Sequence, residues 1–130
     1  MSKLAIVGIM AGTKAYEKLS ALPHFAPGLT YMYTDEDGDV FYACMWEWVD
    51  WTTFGQRAQE VEEVENALRE IEKVHDEDAY DPKWAFKHLI VDECGESSAA
   101  FACGGEGLPI GIHYGISLPS ASLQVKHEGG

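Results

Sequence analysis

Acidic residues are concentrated in one segment of the chain. The 130 residues include 22 acidic and 9 basic residues, for a formal net charge of −13. Ten of the acidic residues lie between positions 60 and 81, beside only two basic ones. A row of carboxylates attracts basic protein surfaces and can imitate the phosphates of nucleic acid, whereas it repels nucleic acid itself and anionic membranes. The residues predicted to bind a basic protein in this way are Glu60, Glu63, Glu70, Asp76, Glu77 and Asp78.

Aromatic residues are concentrated between positions 31 and 51. Tryptophan and tyrosine are enriched in the hot spots of protein interfaces, although aromatic residues in strands more often pack in a core. Glu47 and Asp50 lie among them, which indicates that part of this segment meets water or a partner. The residues predicted to bind a partner or a second copy of the chain are Tyr31, Tyr33, Tyr42, Trp46, Trp48 and Trp51.

Two short patterns have the residue types of ligand sites but not their spacing. Gly8 and Gly12 flank a strand-to-helix connection, yet the Gly-Lys-Ser/Thr ending of a phosphate-binding loop is absent, so they are predicted to permit a tight turn. The acidic run from Asp35 to Asp39 has oxygen ligands for calcium. It lacks the glycine and the glutamate that an EF-hand loop requires at its sixth and twelfth positions, so it is predicted to be a hairpin turn.

Cysteine and histidine side chains are also candidates for chemistry. Cys94, Cys103, His88 and His113 are of the types that ligate zinc, and a cysteine beside a histidine can act as a nucleophile. No Cys-x-x-Cys or His-x3-His spacing supports either role, and three cysteines do not form a disulfide framework. The sequence therefore predicts no metal, cofactor or catalytic residue. A small ligand-binding or enzymatic domain that uses glycine-rich loops and these residues is the alternative.

Hydrophobic periodicity predicts the elements of the N-terminal half. Residues 3–10 are predicted to form a buried strand, 14–21 a short helix, and 29–34 with 39–51 a hairpin around Asp37-Gly38. A hairpin loop of two or four residues would pair odd with even positions, which would place the tyrosines with Trp46 and Trp48 on one face.

A long helix is predicted from a capping box at Thr53 and Gln56 to about residue 75. Its apolar residues recur at spacings of three and four and are Phe54, Val61, Val64, Leu68, Ile71 and His75. The acidic positions lie off this stripe, so replacing them is expected to leave the fold intact.

Residues 86–93 and 98–103 are predicted to form a second hairpin, 109–118 a last strand, and 120–130 a fraying end. The predicted fold is one α+β domain over residues 1–130, in the order β-α-β-β-α-β-β-β. Its sheet is mostly antiparallel, with one long and one short helix packed on one face.

Composition also bounds the cellular context. No stretch approaches the roughly 20 apolar residues that span a bilayer, and the N-terminal apolar run is too short for a secretion signal, so we expect a cytoplasmic protein.

The leading hypothesis is a small interaction module that inhibits a basic nucleic-acid-binding protein, without touching nucleic acid or membrane. Small acidic inhibitors that phages and mobile elements encode have this general character. They include anti-CRISPR proteins, which inhibit CRISPR effectors, and other anti-defence proteins. An oligomeric structural component assembled through the aromatic segment is a further alternative.

Overall fold

A six-stranded antiparallel sheet organises the chain. The computed structural model describes residues 4–74, 81–93, 97–112, 115–120 and 122–125, with only the backbone of 97–101. The sheet has the strand order β5-β4-β1-β3-β2-β8, and β6 pairs with β7 in a separate small hairpin. The strands are β1 Ala5–Gly12, β2 Leu29–Thr34, β3 Val40–Val49, β4 Phe86–Asp92, β5 Ser97–Cys103, β6 Gly111–Ile112, β7 Ile116–Ser117 and β8 Leu123–Gln124.

Two helices cover one face of this sheet. They are α1, Thr13–Ser20, and α2, Ala58–Val74. The stripe residues Val61, Val64, Leu68 and Ile71 are buried and form a hydrophobic core with residues of α1, β1 and β3. This arrangement confirms the α+β class, the mostly antiparallel sheet and the placement of both helices on one face. The helical members of the core are Ala15, Leu19, Val61, Val64, Ala67, Leu68 and Ile71. His75, the last residue of the predicted stripe, lies outside the described residues.

The C-terminal segment covers the opposite face of the sheet. Leu108 and Ile110 pack with Met10 and Phe41 in a second buried cluster, and Ile116 lies against it. Gly8 makes this packing feasible, because a Cβ atom at that position would lie 2.9 Å from Ile116 Cδ1. Apolar residues on both faces of the central strands are therefore explained by two separate cores.

Helix α2 begins later than the sequence predicts. The chain from 52 to 57 forms turns, and helix starts only at Ala58, so Thr53 and Gln56 do not form the predicted capping box. Gly55 accounts for the difference, because glycine disfavours helix and its α-carbon packs against Asp50 and Thr52. Phe54, which was expected in the apolar stripe, is instead 82% exposed.

The C-terminal strands also differ from the prediction of one strand over 109–118. The chain reverses between β6 and β7, where Gly115 adopts a φ of 128° that favours glycine. Within the segment expected to fray, β8 pairs with β2 opposite Tyr31 and Met32. Residues 126–130 lie outside the described part of the chain.

Candidate functional site

The loop of the first hairpin decides which aromatic residues share a face. Tyr31 pairs with Ala43, and Asp35 N–H donates to the Asp39 carbonyl, so the loop has three residues and ends at Gly38 with a φ of 86°. Such a loop pairs odd positions with odd positions. The prediction that the tyrosines share one face with Trp46 and Trp48 is therefore wrong, because it assumed a loop of two or four residues.

The six predicted aromatic residues consequently lie in different surroundings. Tyr31 and Tyr33 pack partly on the cluster beneath the C-terminal segment. On the helical side, Tyr42 stacks on Tyr16 of α1 at a centroid distance of 4.3 Å. Trp46 and Trp51 are core residues, with ring centroids 4.9 Å apart. Trp48 is the one of these six that is mainly exposed, at 54%.

Glu60 is a buried structural carboxylate rather than part of an exposed acidic face. Only 3% of the residue is exposed. Its Oε2 accepts hydrogen bonds from Trp46 Nε1 at 2.9 Å and from the Ala26 backbone N–H at 2.6 Å, and its Oε1 accepts one from Arg57 at 2.7 Å. The sequence contains a signal for the burial of Glu60. It lies four residues before Val64, which places it beside the apolar stripe of the helix.

Glu63 and Glu70 lie at the surface, where they bond to one residue that follows α1 and one residue within it. Glu63 accepts hydrogen bonds from the backbone and from Nδ1 of His24, the latter at 2.7 Å, and Glu70 pairs with Lys18 at 2.8 Å. The hydrogen bond from His24 lowers the pKa of Glu63, and the hydrogen bond from Lys18 lowers the pKa of Glu70. The remaining predicted acidic residues, Asp76, Glu77 and Asp78, lie outside the described residues.

Trp48 occupies a β-bulge at the end of β3. Ala5 pairs with Val49 whereas Val7 pairs with Trp46, so β3 has one extra residue between these two pairs. The backbone of Trp48 is left-handed, with a φ of 53°. No other non-glycine residue in the described part of the chain has a positive φ. Glycine and asparagine tolerate this conformation, whereas a bulky side chain strains it. Strained residues cluster at binding and active sites.

A cleft of about 460 Å³ adjoins the Trp48 side chain. Ile6, Val91 and Ile112 give the cleft its apolar lining, and its acidic lining residues lie at the end of β4 and directly after it. The strand ends meet there because Ile6 pairs with Val91 and the Glu93 N–H donates to the Leu4 carbonyl. The described residues that line the cleft are Ile6, Trp48, Val91, Asp92, Glu93, Ile112 and Gly115.

The hairpin turn presents a group of carboxylates that could hold a metal ion. One oxygen each of Asp35, Asp37 and Asp39 lies within 4.8 Å of the others. Hard cations such as Ca²⁺ prefer oxygen ligands of this kind. Asp35 Oδ1 already accepts the backbone N–H groups of Asp37 and Asp39, which is how this side chain shapes the turn.

The cysteines that the structure describes are buried, and so is the candidate histidine His88. Burial raises the pKa of the Cys44 thiol to about 12, so this cysteine is protonated at neutral pH. His88 is 1% exposed, and burial lowers its pKa to about 4, so its imidazole is neutral beside the Trp51 ring. Cys103 is buried as well, whereas Cys94 and His113 lie outside the described residues.

The N-terminus of α1 is occupied by the protein itself. The Lys83 carbonyl accepts hydrogen bonds from the N–H groups of Lys14 at 2.9 Å and Ala15 at 3.1 Å. Two of the first-turn N–H groups that a phosphate would use are therefore already bonded. Gly12 was predicted to permit a tight turn, whereas the structure shows that it permits close packing, since a Cβ there would overlap the Pro82 carbonyl oxygen.

Comparison with known proteins identifies no relative, since no protein-family model, curated protein or solved structure matches the chain. Among the described residues, neither helix is long and apolar enough to cross a membrane.

Proposed function

We propose that the protein is an interaction module that binds a partner protein with a basic surface and competes with nucleic acid for that surface. The observation that carries this proposal is the charge imbalance, a formal net charge of −13 on 130 residues. Such a charge attracts basic surfaces and accelerates encounter with them.

The distribution of cations in the described chain supports the proposal. Lys18 and Arg57 are held in ion pairs with Glu70 and Glu60, and the Lys87 ammonium group donates to backbone carbonyls. Other carboxylates of α2 form no ion pair among the described residues. Glu62 and Glu72 are exposed examples on this helix.

The partner-binding surface that we propose differs from the predicted row of acids by the loss of Glu60 and the gain of Glu62 and Glu72. Glu60 is withdrawn from it because its carboxylate is buried and bonded. Glu63 and Glu70 remain at the surface, where the Lys18 ammonium group partly neutralises Glu70 and the oxygens of Glu63 are hydrogen-bonded to His24. The exposed Glu62 and Glu72 join them, and Asp76 to Asp78 keep the role predicted from the sequence.

The proposal is tested by reversing charge on α2. Glu62→Lys and Glu72→Lys, combined in one variant, alter exposed side chains that have no partner in the described structure. A matched control carries Glu17→Lys and Glu106→Lys, which change net charge equally at two other exposed sites. The partner is first captured from the native host and identified by mass spectrometry, and association rates are then measured against ionic strength.

We expect the α2 variant to associate more slowly than the control, and the wild-type rate to fall as salt rises, because the Debye length shrinks from about 10 Å at 0.1 M to about 3 Å at 1 M. Binding of the partner should also be reduced by added double-stranded DNA. A salt-insensitive rate that is equal in all three proteins would overturn the proposal. Equal slowing in both variants would show that the overall charge acts, rather than the surface of α2.

A further inference from the structure

Trp48 combines two features that the fold alone does not explain. Its side chain is more than half exposed, so it contributes little to either core. Its backbone adopts the left-handed conformation that glycine or asparagine would occupy with less strain. A tryptophan at this position disfavours the folded backbone without a matching gain in burial. Its indole is therefore explained better by contact with another molecule.

The cleft beside Trp48 has a definite chemical character. Its walls include Ile6, Val91 and Ile112, which suit an aliphatic side chain. Two acidic residues, the exposed Glu93 and the half-buried Asp92, also line the cleft. An apolar cleft with an indole and a carboxylate complements a long side chain that ends in a cation.

Arginine fits this description better than lysine does. Its planar guanidinium stacks on an indole face and at the same time donates paired hydrogen bonds to a carboxylate. The ammonium group of lysine is a compact and strongly hydrated point charge, so it gains less from stacking. Arginine is also enriched at the centre of protein interfaces, together with tryptophan.

We propose that the cleft beside Trp48 receives an arginine side chain of the partner, with the guanidinium stacked on the indole and paired with Glu93. This inference rests on the proposed function, since it assumes a basic protein partner. It adds a specific anchoring contact to a surface that otherwise acts through its overall charge.

The test uses three short peptides as probes. They are acetyl-Gly-Arg-Gly-amide and the same peptide with lysine or with citrulline, the neutral analogue of arginine, in place of arginine. Binding is followed through the indole N–H signals in NMR spectra, where the Trp48 signal is assigned by its loss in Trp48→Asn. We expect the arginine peptide to shift that signal and to bind about tenfold more tightly than the citrulline peptide, because the citrulline peptide lacks the charge.

Two carboxylate variants separate a specific contact from general attraction. Glu93→Gln should weaken binding of the arginine peptide about tenfold, because it removes the charge-assisted hydrogen bonds. Glu47→Gln is the matched control, since Glu47 is exposed and adjoins Trp48 in sequence but lines a different cleft with Gly28 and Arg57. Equal losses in the two variants would overturn the proposed pairing with Glu93.

Other occupants give different results. Equal affinity for the arginine and citrulline peptides would indicate a neutral occupant, and tighter binding of lysine would reject the stacked guanidinium. Concentration-dependent dimerisation that Trp48→Asn abolishes would indicate a second copy of the chain. Each of these results overturns the inference, as does the absence of any shift at 10 mM arginine peptide. Thermal unfolding of each variant, followed by circular dichroism, establishes that it is folded.

The captured partner distinguishes failure of this inference from failure of the proposed function. Trp48→Asn should speed dissociation and leave the salt dependence of association unchanged, whereas the α2 variant should slow association. If Trp48→Asn binds the partner as the wild type does, the arginine cleft is refuted and the charged surface stands. If the arginine peptide binds at Trp48 but no basic partner exists, the proposed function fails while the cleft retains its specificity.

Discussion

The Trp46 indole N–H donates a hydrogen bond of 2.9 Å to Oε2 of Glu60, and this bond joins the centre of the sheet to the first turn of α2. Both residues are buried, with 1% of Trp46 exposed. Burying a carboxylate is unfavourable unless its oxygens are bonded, and here Ala26 and Arg57 supply further donors. One of the six acidic residues predicted to bind a partner therefore helps to hold the fold together.

Glu60→Gln should destabilise the protein by about 1.5–3 kcal/mol, the usual loss when a hydrogen bond to a buried charged group is removed. The amide NH2 group of glutamine would also face the N–H groups of Trp46, Ala26 or Arg57, which donate hydrogen bonds and cannot accept one. The control is Glu62→Gln, which alters an exposed residue two positions away and should change the free energy of unfolding by less than about 0.5 kcal/mol. Urea unfolding measures both values. Equal stability of the two variants would show that the Glu60 network contributes nothing.

The two neighbouring tryptophans should respond in opposite ways. Trp46→Ala should cost about 3–5 kcal/mol, because it empties a buried site. Trp48→Asn should leave stability unchanged or raise it by up to about 1 kcal/mol, because asparagine tolerates the left-handed backbone. Thermal unfolding of both variants provides the comparison. A large loss of stability in Trp48→Asn would mean that the indole supports the fold.

Gly12→Ala should prevent stable folding. A Cβ atom at this position would overlap the Pro82 carbonyl oxygen, a backbone atom that cannot move aside without displacing residues 81–85 from the start of α1. Gly107→Ala is the control, because no atom lies within 4 Å of its Cβ position. Soluble expression and circular dichroism should distinguish them. A native spectrum for Gly12→Ala would contradict the close packing of these two segments.

His88 should make stability depend on pH in mildly acidic solution. Burial lowers its pKa from 6.5 to about 4 in the folded protein, so below pH 6.5 the unfolded chain binds a proton that the folded chain does not. The contribution of His88 to the free energy of unfolding therefore falls as pH decreases from 6.5 to 4, by about 3 kcal/mol in total.

The measurement compares unfolding free energies of the wild type and His88→Leu across this range. The variant lacks the ionisable group, so its stability should fall less steeply with decreasing pH. Carboxylates with lowered pKa, such as Glu63, are retained in both proteins and their contribution cancels in the comparison. Parallel pH profiles would show that His88 is not buried as a neutral ring.

Chelation should leave the melting temperature unchanged, because two hydrophobic cores stabilise the fold and a chain of this length needs no metal staple. The check is unfolding with and without EDTA, together with elemental analysis. One zinc ion per chain, with unfolding on chelation, would overturn the sequence-based reading of Cys94 and Cys103. Stabilisation by added calcium that Asp37→Asn abolishes would instead assign a cation to the hairpin turn.

Local sequence patterns determined the fold class and most elements of this protein. The spacing of Val61, Val64 and Leu68 predicts the buried face of α2, because a helix repeats every 3.6 residues whatever lies around it. The apolar runs on either side of Asp37-Gly38 predict the first hairpin, because Asp-Gly favours the tight turn that joins two neighbouring strands. Net charge is likewise a property of composition, and it is the basis of the proposed function.

Tertiary structure alone decided which side chains meet water and which meet one another. A three-residue loop set the register of β2 and β3, and one extra residue in β3 turned Trp48 out of the core. Trp46 and Arg57 brought Glu60 inside by supplying donors to its carboxylate. The cleft joins β1, β3, β4 and the C-terminal hairpin, which are distant in sequence, so only the pairing of these strands places Glu93 beside Trp48.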